Sequence, residues 1–133
     1  MIFRAILLLA LLSSSVAHAA QRVITLAPHL AELVCAAGAC DQLVGVSSYS
    51  DFPPQLARLP HIGDAYALNL EQIVALRPDL VLSWSGGTSP QILSRLRDLQ
   101  LKCLPVEVQG LKGVAAAIEQ LGILLGTPAV ANR

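Results

Sequence analysis

The chain has 133 residues, with nine Lys and Arg side chains against nine Asp and Glu side chains, so its net charge at pH 7 is zero. This balance argues against nucleic-acid binding, which depends on an excess of positive charge. Hydrophobic residues make up 54% of the chain, which is high for a soluble domain, and many of them lie near the amino terminus.

The first nineteen residues have the pattern of a secretory signal peptide. Arg4 precedes an apolar run at 5–12, and Ala17-His18-Ala19 forms a small-residue cleavage site. The run is far shorter than the ~20 residues that span a bilayer. We therefore predict a signal peptide at 1–19, cleaved after Ala19 or Ala20. Since no Cys follows the cleavage site directly, the exported chain is expected to be free in an oxidising periplasm.

Beyond the signal, short strand patterns alternate with helical patterns, as in α/β proteins. The predicted strands lie at 22–26, 43–46, 80–84 and 102–106, and the predicted helices at 29–37, 70–76, 91–99 and 110–125. Four strands joined by helical crossovers predict a doubly wound parallel four-stranded sheet flanked by helices. The apolar strand 80–84 fits a position that is covered on both faces.

Residues at the helix ends support these boundaries. Asn69 and Ser89 are expected N-caps, Gly38 is an expected C-cap, and Thr127 with Pro128 opens one more helix. We predict a single lobe at 20–126 and the start of a further helix at 127–133, cut short, as expected of a fragment. The predicted inward faces comprise Leu30, Leu33, Val34 and Ala37; Ile92, Leu93, Leu96 and Leu99; and Val114, Ile118, Leu121, Leu124 and Leu125.

Three cysteines, Cys35, Cys40 and Cys103, have no metal-binding spacing. Two interpretations remain open. Buried free thiols are the first, because Cys often behaves as a small hydrophobic residue. A disulfide between Cys35 and Cys40 at a helix end is the second.

Ligands of open parallel sheets bind beyond the carboxyl ends of the strands. This rule selects 27–29, 47–50, 84–87 and 107–110. Tyr49 and Trp84 both fall at this edge, next to Ser48 and Gly86, and Tyr66 lies in a long connection at 47–68 that should overhang it. The five residues predict a site for a large, flat and largely apolar ligand, which can approach the backbone at the glycines.

Other kinds of site have little support. The chain has no nucleophile elbow, phosphate-binding loop or zinc-protease motif, so we do not expect an enzyme. His29, His61 and Asp64 lie on separate segments without ligand spacing, and we expect exposed or capping roles for them rather than a metal site.

Two segments carry a resemblance to a known family: RVITLAPHLAELVCAAGACDQLVGVSSYSDFPP at 22–54 and NLEQIVALRPDLVLSW at 69–84. They resemble the amino-terminal lobe of the periplasmic cobalamin-binding proteins of ABC importers. Residues 69–80 are also similar to haem- and siderophore-binding relatives, whereas 45–54 points to cobalamin. The resemblance implies a bilobal protein whose interlobe helix would begin at 127–133.

The resemblance also implies roles for individual residues. Tyr49 and Trp84 match cleft residues that contact the ligand, and Glu71 matches an acid that docks the lobe onto the membrane permease. A helix dipole also favours an acid at the position of Glu71, and both roles can hold together. Where the family has a further cleft tryptophan, this chain has Ala65 followed by Tyr66. The expected partners are cobalamin and the permease, and the protein is expected to be a monomer.

Charge near the predicted site helps to choose the ligand. Haem and catecholate siderophores are anionic and generally need Arg or Lys. The nearest bases are Arg58 and Lys112, whereas Asp51 and Glu107 lie on the edge loops. Cobalamin, with a flat ring and neutral amides, therefore fits best. The alternatives are haem or a ferric siderophore and, in another class, a small exported enzyme or an interaction module.

Overall fold

A parallel sheet with helices on both faces forms the centre of the molecule. The computed structural model describes residues 22–131, and the predicted signal peptide lies outside this range. The strands are β1 (Val23–Thr25), β2 (Leu43–Val46), β3 (Leu80–Trp84) and β4 (Cys103–Val106), in the order β2-β1-β3-β4. The helices are α1 (Pro28–Ala36), α2 (Leu70–Ala75), α3 (Pro90–Asp98), α4 (Gly110–Leu125) and α5 (Pro128–Ala131). The predicted fold class is confirmed.

The helix ends follow from local sequence. Asn69 Oδ1 accepts a hydrogen bond from the backbone N–H of Gln72, and Ser89 Oγ accepts one from that of Ile92. Gly38 follows the end of α1 with a φ of 85°, a left-handed conformation that glycine adopts without a steric penalty. The two predicted N-caps are confirmed, whereas the C-cap of α1 is Ala37, one residue before the predicted Gly38, because the helix ends at Ala36.

Apolar side chains of each strand alternate between the two faces. Val23, Leu80 and Leu82 pack in a cluster with α1 and α4. Ile24 and Val81 belong to the opposite cluster, with residues of α2 and α3. Because β1 and β3 are central, helices cover both of their faces, and Leu80–Ser83 are buried as the apolar pattern of this strand predicted.

One of the predicted inward faces is partly wrong. In α3 only Leu96 is buried, while Ile92 and Leu93 are half-buried and Leu99 is 43% exposed. The helix ends at Asp98, so Leu99 lies past the last helical residue and leaves the apolar stripe. In α4, Leu121 and Leu125 are buried, and the three other predicted residues are half-buried against the same cluster.

The second interpretation of the cysteines is the correct one. Cys35 and Cys40 form a disulfide, with their Cα atoms 4.0 Å apart. The chain reverses at Gly38, and this turn brings the two residues together. The interpretation of three free thiols is therefore wrong for this pair, whereas Cys103 is a free, half-buried thiol.

The long connection at 47–68 is more ordered than its sequence predicts. It contains a 3-10 turn at Pro54–Arg58, and its Leu56 and Ile62 are buried. Backbone hydrogen bonds join Val46 to Pro60 and to Ile62, so this segment runs beside β2. The connection is thereby held at the edge of the sheet.

The chain enters α5 where the sequence predicts a new helix. Thr127 precedes it, and the Thr127 hydroxyl donates a hydrogen bond of 2.6 Å to the carbonyl of Ala37. This contact fastens α5 to the end of α1. Among residues 22–131, no helix is both long enough and apolar enough to cross a membrane.

Candidate functional site

Two exposed aromatic side chains lie at the carboxyl edge of the sheet. Thr25, the last residue of β1, pairs with Val46 at the end of β2 and with Leu82, so β3 continues for two residues beyond the ends of the other two strands. Trp84 ends β3 and is 40% exposed, and Tyr49 follows β2 and is 81% exposed. The topology therefore brings both residues to the edge where ligands of such sheets bind.

Trp84 is fixed by the turn that follows it. Its backbone N–H donates a 2.9 Å hydrogen bond to Thr88 Oγ1. The indole lies against Gly87, where a Cβ atom would come within 1.9 Å of the ring carbon Cε3. At Gly86 a Cβ would lie 3.2 Å from the indole nitrogen. The ring of Trp84 therefore occupies the space beside the Gly87 backbone, where the sequence predicts that a ligand approaches. A ligand contact at Gly86 stays a prediction.

Tyr49 occupies a strained position on a well-bonded turn. Its φ is 68°, in the left-handed region that non-glycine residues rarely adopt. The hydroxyl groups of Ser47 and Ser50, which flank this turn, are hydrogen-bonded to each other at 3.1 Å. The backbone N–H of Ser48 donates a hydrogen bond of 2.7 Å to the carbonyl of Gly63. The turn therefore holds Tyr49 away from the core. Ser48 itself is half-buried.

Tyr66 lies near the end of the long connection at 47–68 and is 96% exposed. Asp64 Oδ1 accepts hydrogen bonds from the backbone N–H groups of Tyr66 and Ala67, at 2.9 and 3.0 Å. Asp64 therefore caps this turn, as expected of it. His61 is exposed. Within the described part of the chain, no group of three or more His, Cys, Asp or Glu side chains is placed to hold a metal ion.

Two features of this edge are not predicted by the sequence. The rings of His29 and Trp84 meet edge to face, with centroids 5.1 Å apart and an interplanar angle of 81°. The strand-end rule did select His29, but no pattern in the sequence pairs it with a residue 55 positions away. The second feature is Phe52, which is 64% exposed in the loop after β2. Its place near Tyr49 in the chain is the only signal that could have found it.

Burial shifts the pKa of His29, which lies at this edge. Desolvation lowers the pKa of His29 below its ordinary value of 6.5, and the nearby charge of Glu32 opposes this effect in part. The imidazole is therefore mainly neutral at pH 7. A neutral imidazole carries one hydrogen-bond donor and one acceptor.

A separate surface surrounds Glu71, which is exposed in the first turn of α2. It borders a groove of about 550 Å³ between α2 and α3, lined by Leu70, Glu71, Val74, Arg95, Asp98 and Leu99. Val74 and Leu99 are 45% and 43% exposed. We call this surface the α2–α3 groove, and it combines apolar walls with three charged residues.

A larger cavity, of about 690 Å³, lies between β4 and α4. It is lined by residues such as Leu104, Pro105, Ala116 and Leu124, and by neither Tyr49 nor Trp84. Tyr49 and Trp84 lie outside this cavity, exposed at the carboxyl edge of the sheet, which we call the aromatic edge.

Comparison with known proteins identifies the family. A model described as a periplasmic binding protein matches residues 23–133. The chain belongs to the periplasmic binding protein family.

Relatives in this family include proteins named for their ligand. The chain is 39% identical over 114 residues to a vitamin B12-binding protein of Vibrio cholerae, covering 86% of this chain and 41% of that protein. It is 40% identical over 131 residues to a vitamin B12-binding protein of Salmonella paratyphi A, covering 98% and 48%. The chain thus spans less than half the length of these relatives.

Solved structures of the family agree with the fold. The crystal structure of the periplasmic vitamin B12-binding protein of Vibrio cholerae matches with a TM-score of 0.79 and 39% identity, covering 85% of this chain and 44% of that one. A periplasmic haem-binding protein from Pseudomonas aeruginosa matches with a TM-score of 0.77 and 30% identity, covering 85% and 41%. The resemblance drawn from the sequence is confirmed, including its extension to haem-binding relatives.

Proposed function

We propose that this periplasmic binding protein chain is the amino-terminal ligand-binding lobe of an exported protein that binds cobalamin and delivers it to an ABC importer. The observation that carries the proposal is the exposed pair Tyr49 and Trp84 at the carboxyl edge of the sheet. Similarity to vitamin B12-binding proteins at 39–40% identity supports the choice of ligand. A second lobe would close over the same edge.

The shape of the edge suits a large flat ligand. Tyr49 and Trp84 follow β2 and β3, which flank β1, so the two aromatic groups lie on either side of the central strand. Tyr66 and Phe52 add exposed aromatic surface in the adjoining loop. Aromatic rings provide apolar contact area, and exposed backbone groups can hydrogen-bond to neutral amides. Binding in this way needs no covalent step, so we propose a binding protein rather than an enzyme.

Haem or a ferric siderophore is the alternative ligand, and one observation favours it. A haem-binding protein matches this chain at 30% identity with a TM-score of 0.77. The loops at the edge carry acidic Asp51 and Glu107, and the charge of an anionic ligand would be repelled there. Cobalamin, whose peripheral groups are mostly neutral amides, avoids this repulsion.

The α2–α3 groove supports the proposed docking of Glu71 onto the permease. Glu71 lies at the rim of an open groove, beside the exposed side chains of Val74 and Leu99. An arginine of the partner could pair with Glu71 while a neighbouring apolar side chain enters the groove. Exposed ion pairs contribute only ~0–1 kcal/mol, so Glu71 would set the docking register more than the affinity. Export through the proposed signal peptide would place the chain in the periplasm. We further propose that it acts there as a monomer.

A fluorescence titration tests the ligand, because Trp84 is the only tryptophan of the chain. The purified chain is titrated with cyanocobalamin, haem and a ferric siderophore, and the emission is corrected for ligand absorption. Saturable quenching by cyanocobalamin alone supports the proposal. Quenching by haem or the siderophore alone supports the alternative. If none of the three quenches even after the second lobe is restored, the proposal is wrong.

Substitution of the aromatic pair tests the site itself. We expect Tyr49→Ala or Trp84→Ala, in a two-lobed protein, to weaken cyanocobalamin binding about tenfold or more, since each removes a ring worth roughly 1.4 kcal/mol of contact. Tyr49→Phe keeps the ring and serves as the matched control. Binding is measured by equilibrium dialysis, which does not depend on Trp84. If both alanine variants bind cyanocobalamin with the affinity of the wild type, Tyr49 and Trp84 do not contact the ligand.

A further inference from the structure

His29 stands at the centre of the aromatic edge. It is the second residue of α1, the helix that follows β1 in the chain. Since β1 lies between β2 and β3, His29 is placed between the loop that carries Tyr49 and the end of β3 that carries Trp84. A flat ligand that covers both aromatic residues must therefore pass over or beside His29.

The ring of His29 contacts the tryptophan in a favourable geometry. Centroids 5.1 Å apart at 81° form an edge-to-face pair, the arrangement in which the positive edge of one ring meets the negative face of the other. Together with the close approach at Gly87, this contact restricts the positions that the indole can take. His29 is half-buried in this contact, so it remains partly open to solvent.

The nitrogen atoms of His29 are free to serve a ligand. Among the described residues, the imidazole makes no hydrogen bond, and the Trp84 ring is its side-chain partner. Glu32, on the same helix, is the charged group that acts on it, and desolvation outweighs that effect. The ring thus offers one donor and one acceptor at neutral pH, which matches the carboxamide groups of a corrin periphery.

We propose that His29 is a positioning and ligand-contacting residue, whose ring holds the Trp84 indole in place and whose nitrogen atoms hydrogen-bond to the ligand. The positioning role stands on the geometry of this chain. The ligand-contacting role rests on the proposed function. The two roles can be tested separately, because a phenyl ring can make the contact with Trp84 but cannot hydrogen-bond to the ligand.

Three variants are compared with the wild type. His29→Phe keeps an aromatic edge against Trp84 but removes both nitrogen atoms, and His29→Ala removes the ring as well. His61→Ala is the matched control, since His61 is a second histidine near this edge that is exposed and has no ring contact with Trp84. Trp84 emission and near-ultraviolet circular dichroism are recorded without ligand from about pH 8 to about pH 5. Cyanocobalamin affinity is measured by equilibrium dialysis of the same variants joined to the second lobe.

The ligand-free measurements decide the positioning role. Because the pKa of His29 is lowered, its protonation should quench Trp84 emission with a midpoint below about 6.5, the ordinary value. The wild type and His61→Ala should show this transition, and His29→Phe should lack it while keeping the dichroism of the wild type. His29→Ala should lose part of the tryptophan dichroism. A transition that persists in His29→Phe, or unchanged dichroism in His29→Ala, would overturn the positioning role.

The affinities decide the ligand-contacting role. We expect His29→Phe to weaken cyanocobalamin binding about three- to tenfold, the loss of one hydrogen bond, and His29→Ala to weaken it further. If the wild type binds and both variants bind equally well, the ligand-contacting role is overturned and the proposed function survives. If the wild type binds none of the three ligands, the proposed function and the ligand-contacting role both fail, and the emission transition still decides positioning.

Discussion

The packing of Trp84 on Gly87 leads to a sharp prediction about a methyl group. In Gly87→Ala the new Cβ would lie 1.9 Å from Cε3 and 2.2 Å from Cζ3 of the indole. An ordinary carbon–carbon contact is about 3.5 Å, so the ring must move by roughly 1.6 Å. Gly87 does not have a positive φ, so the backbone itself accepts alanine. The effect therefore falls on the position of the indole.

The size of the effect follows from what the indole loses. Trp84 is 40% exposed and can swing outward, so we expect a stability loss of about 1 kcal/mol, near the low end for overpacking. A displaced ring also loses its edge-to-face contact with His29 and the contact that we propose it makes with the ligand. Each such contact is worth about 0.5–1.5 kcal/mol, which corresponds to roughly two- to tenfold weaker cyanocobalamin binding.

Gly86→Ala is the matched control for this experiment. A Cβ there would lie 3.2 Å from the indole nitrogen, so a shift of a few tenths of an ångström relieves the contact. We expect a red-shifted Trp84 emission in Gly87→Ala and nearly wild-type emission in Gly86→Ala, with thermal unfolding recorded for both. The same emission, dichroism and affinity in Gly87→Ala as in the wild type would refute the reasoning, because the methyl group would then have found room without moving the ring.

Three further predictions concern the docking surface and the cysteines. Glu71→Arg should lower cobalamin uptake by cells while cyanocobalamin affinity is unchanged. Glu119→Arg, on the exposed side of α4, is the control and should leave uptake unchanged. Equal uptake by both variants would mean that Glu71 serves only the helix dipole. Replacing both Cys35 and Cys40 by Ala should lower the free energy of unfolding by about 2 kcal/mol in urea melts, because the disulfide closes a short loop; an unchanged midpoint would contradict this. Burial raises the pKa of the Cys103 thiol, opposed by Arg97, so its reaction with a thiol reagent should accelerate only at a higher pH than that of a small free thiol. Reaction at the same pH as the small thiol would show that Cys103 is open to solvent.

The positions of much of the candidate site could be predicted because they are set by strand ends. The rule for parallel sheets alone predicts Tyr49 and Trp84 at this edge, and the structure places both side chains there, exposed. The contact between His29 and Trp84 could not be predicted, since it joins the start of α1 to the end of β3, which are far apart in the sequence. The left-handed backbone at Tyr49 has no signature either, because the hydrogen bonds of the turn impose it on a residue that does not favour it.

Local sequence by itself determined which segments become strands and helices. Residues 80–84 and 110–125 matched their predicted bounds, and Asn69 and Ser89 cap the helices that they precede, because periodicity and capping depend on neighbours within a few residues. Only the tertiary structure decided the strand order, the disulfide at Cys35, the exposure of Leu99 and the partner of Trp84. These features depend on contacts between segments that are distant in sequence, or on how the chain turns in space. The residue pattern of one segment does not reveal which other segment will pack against it.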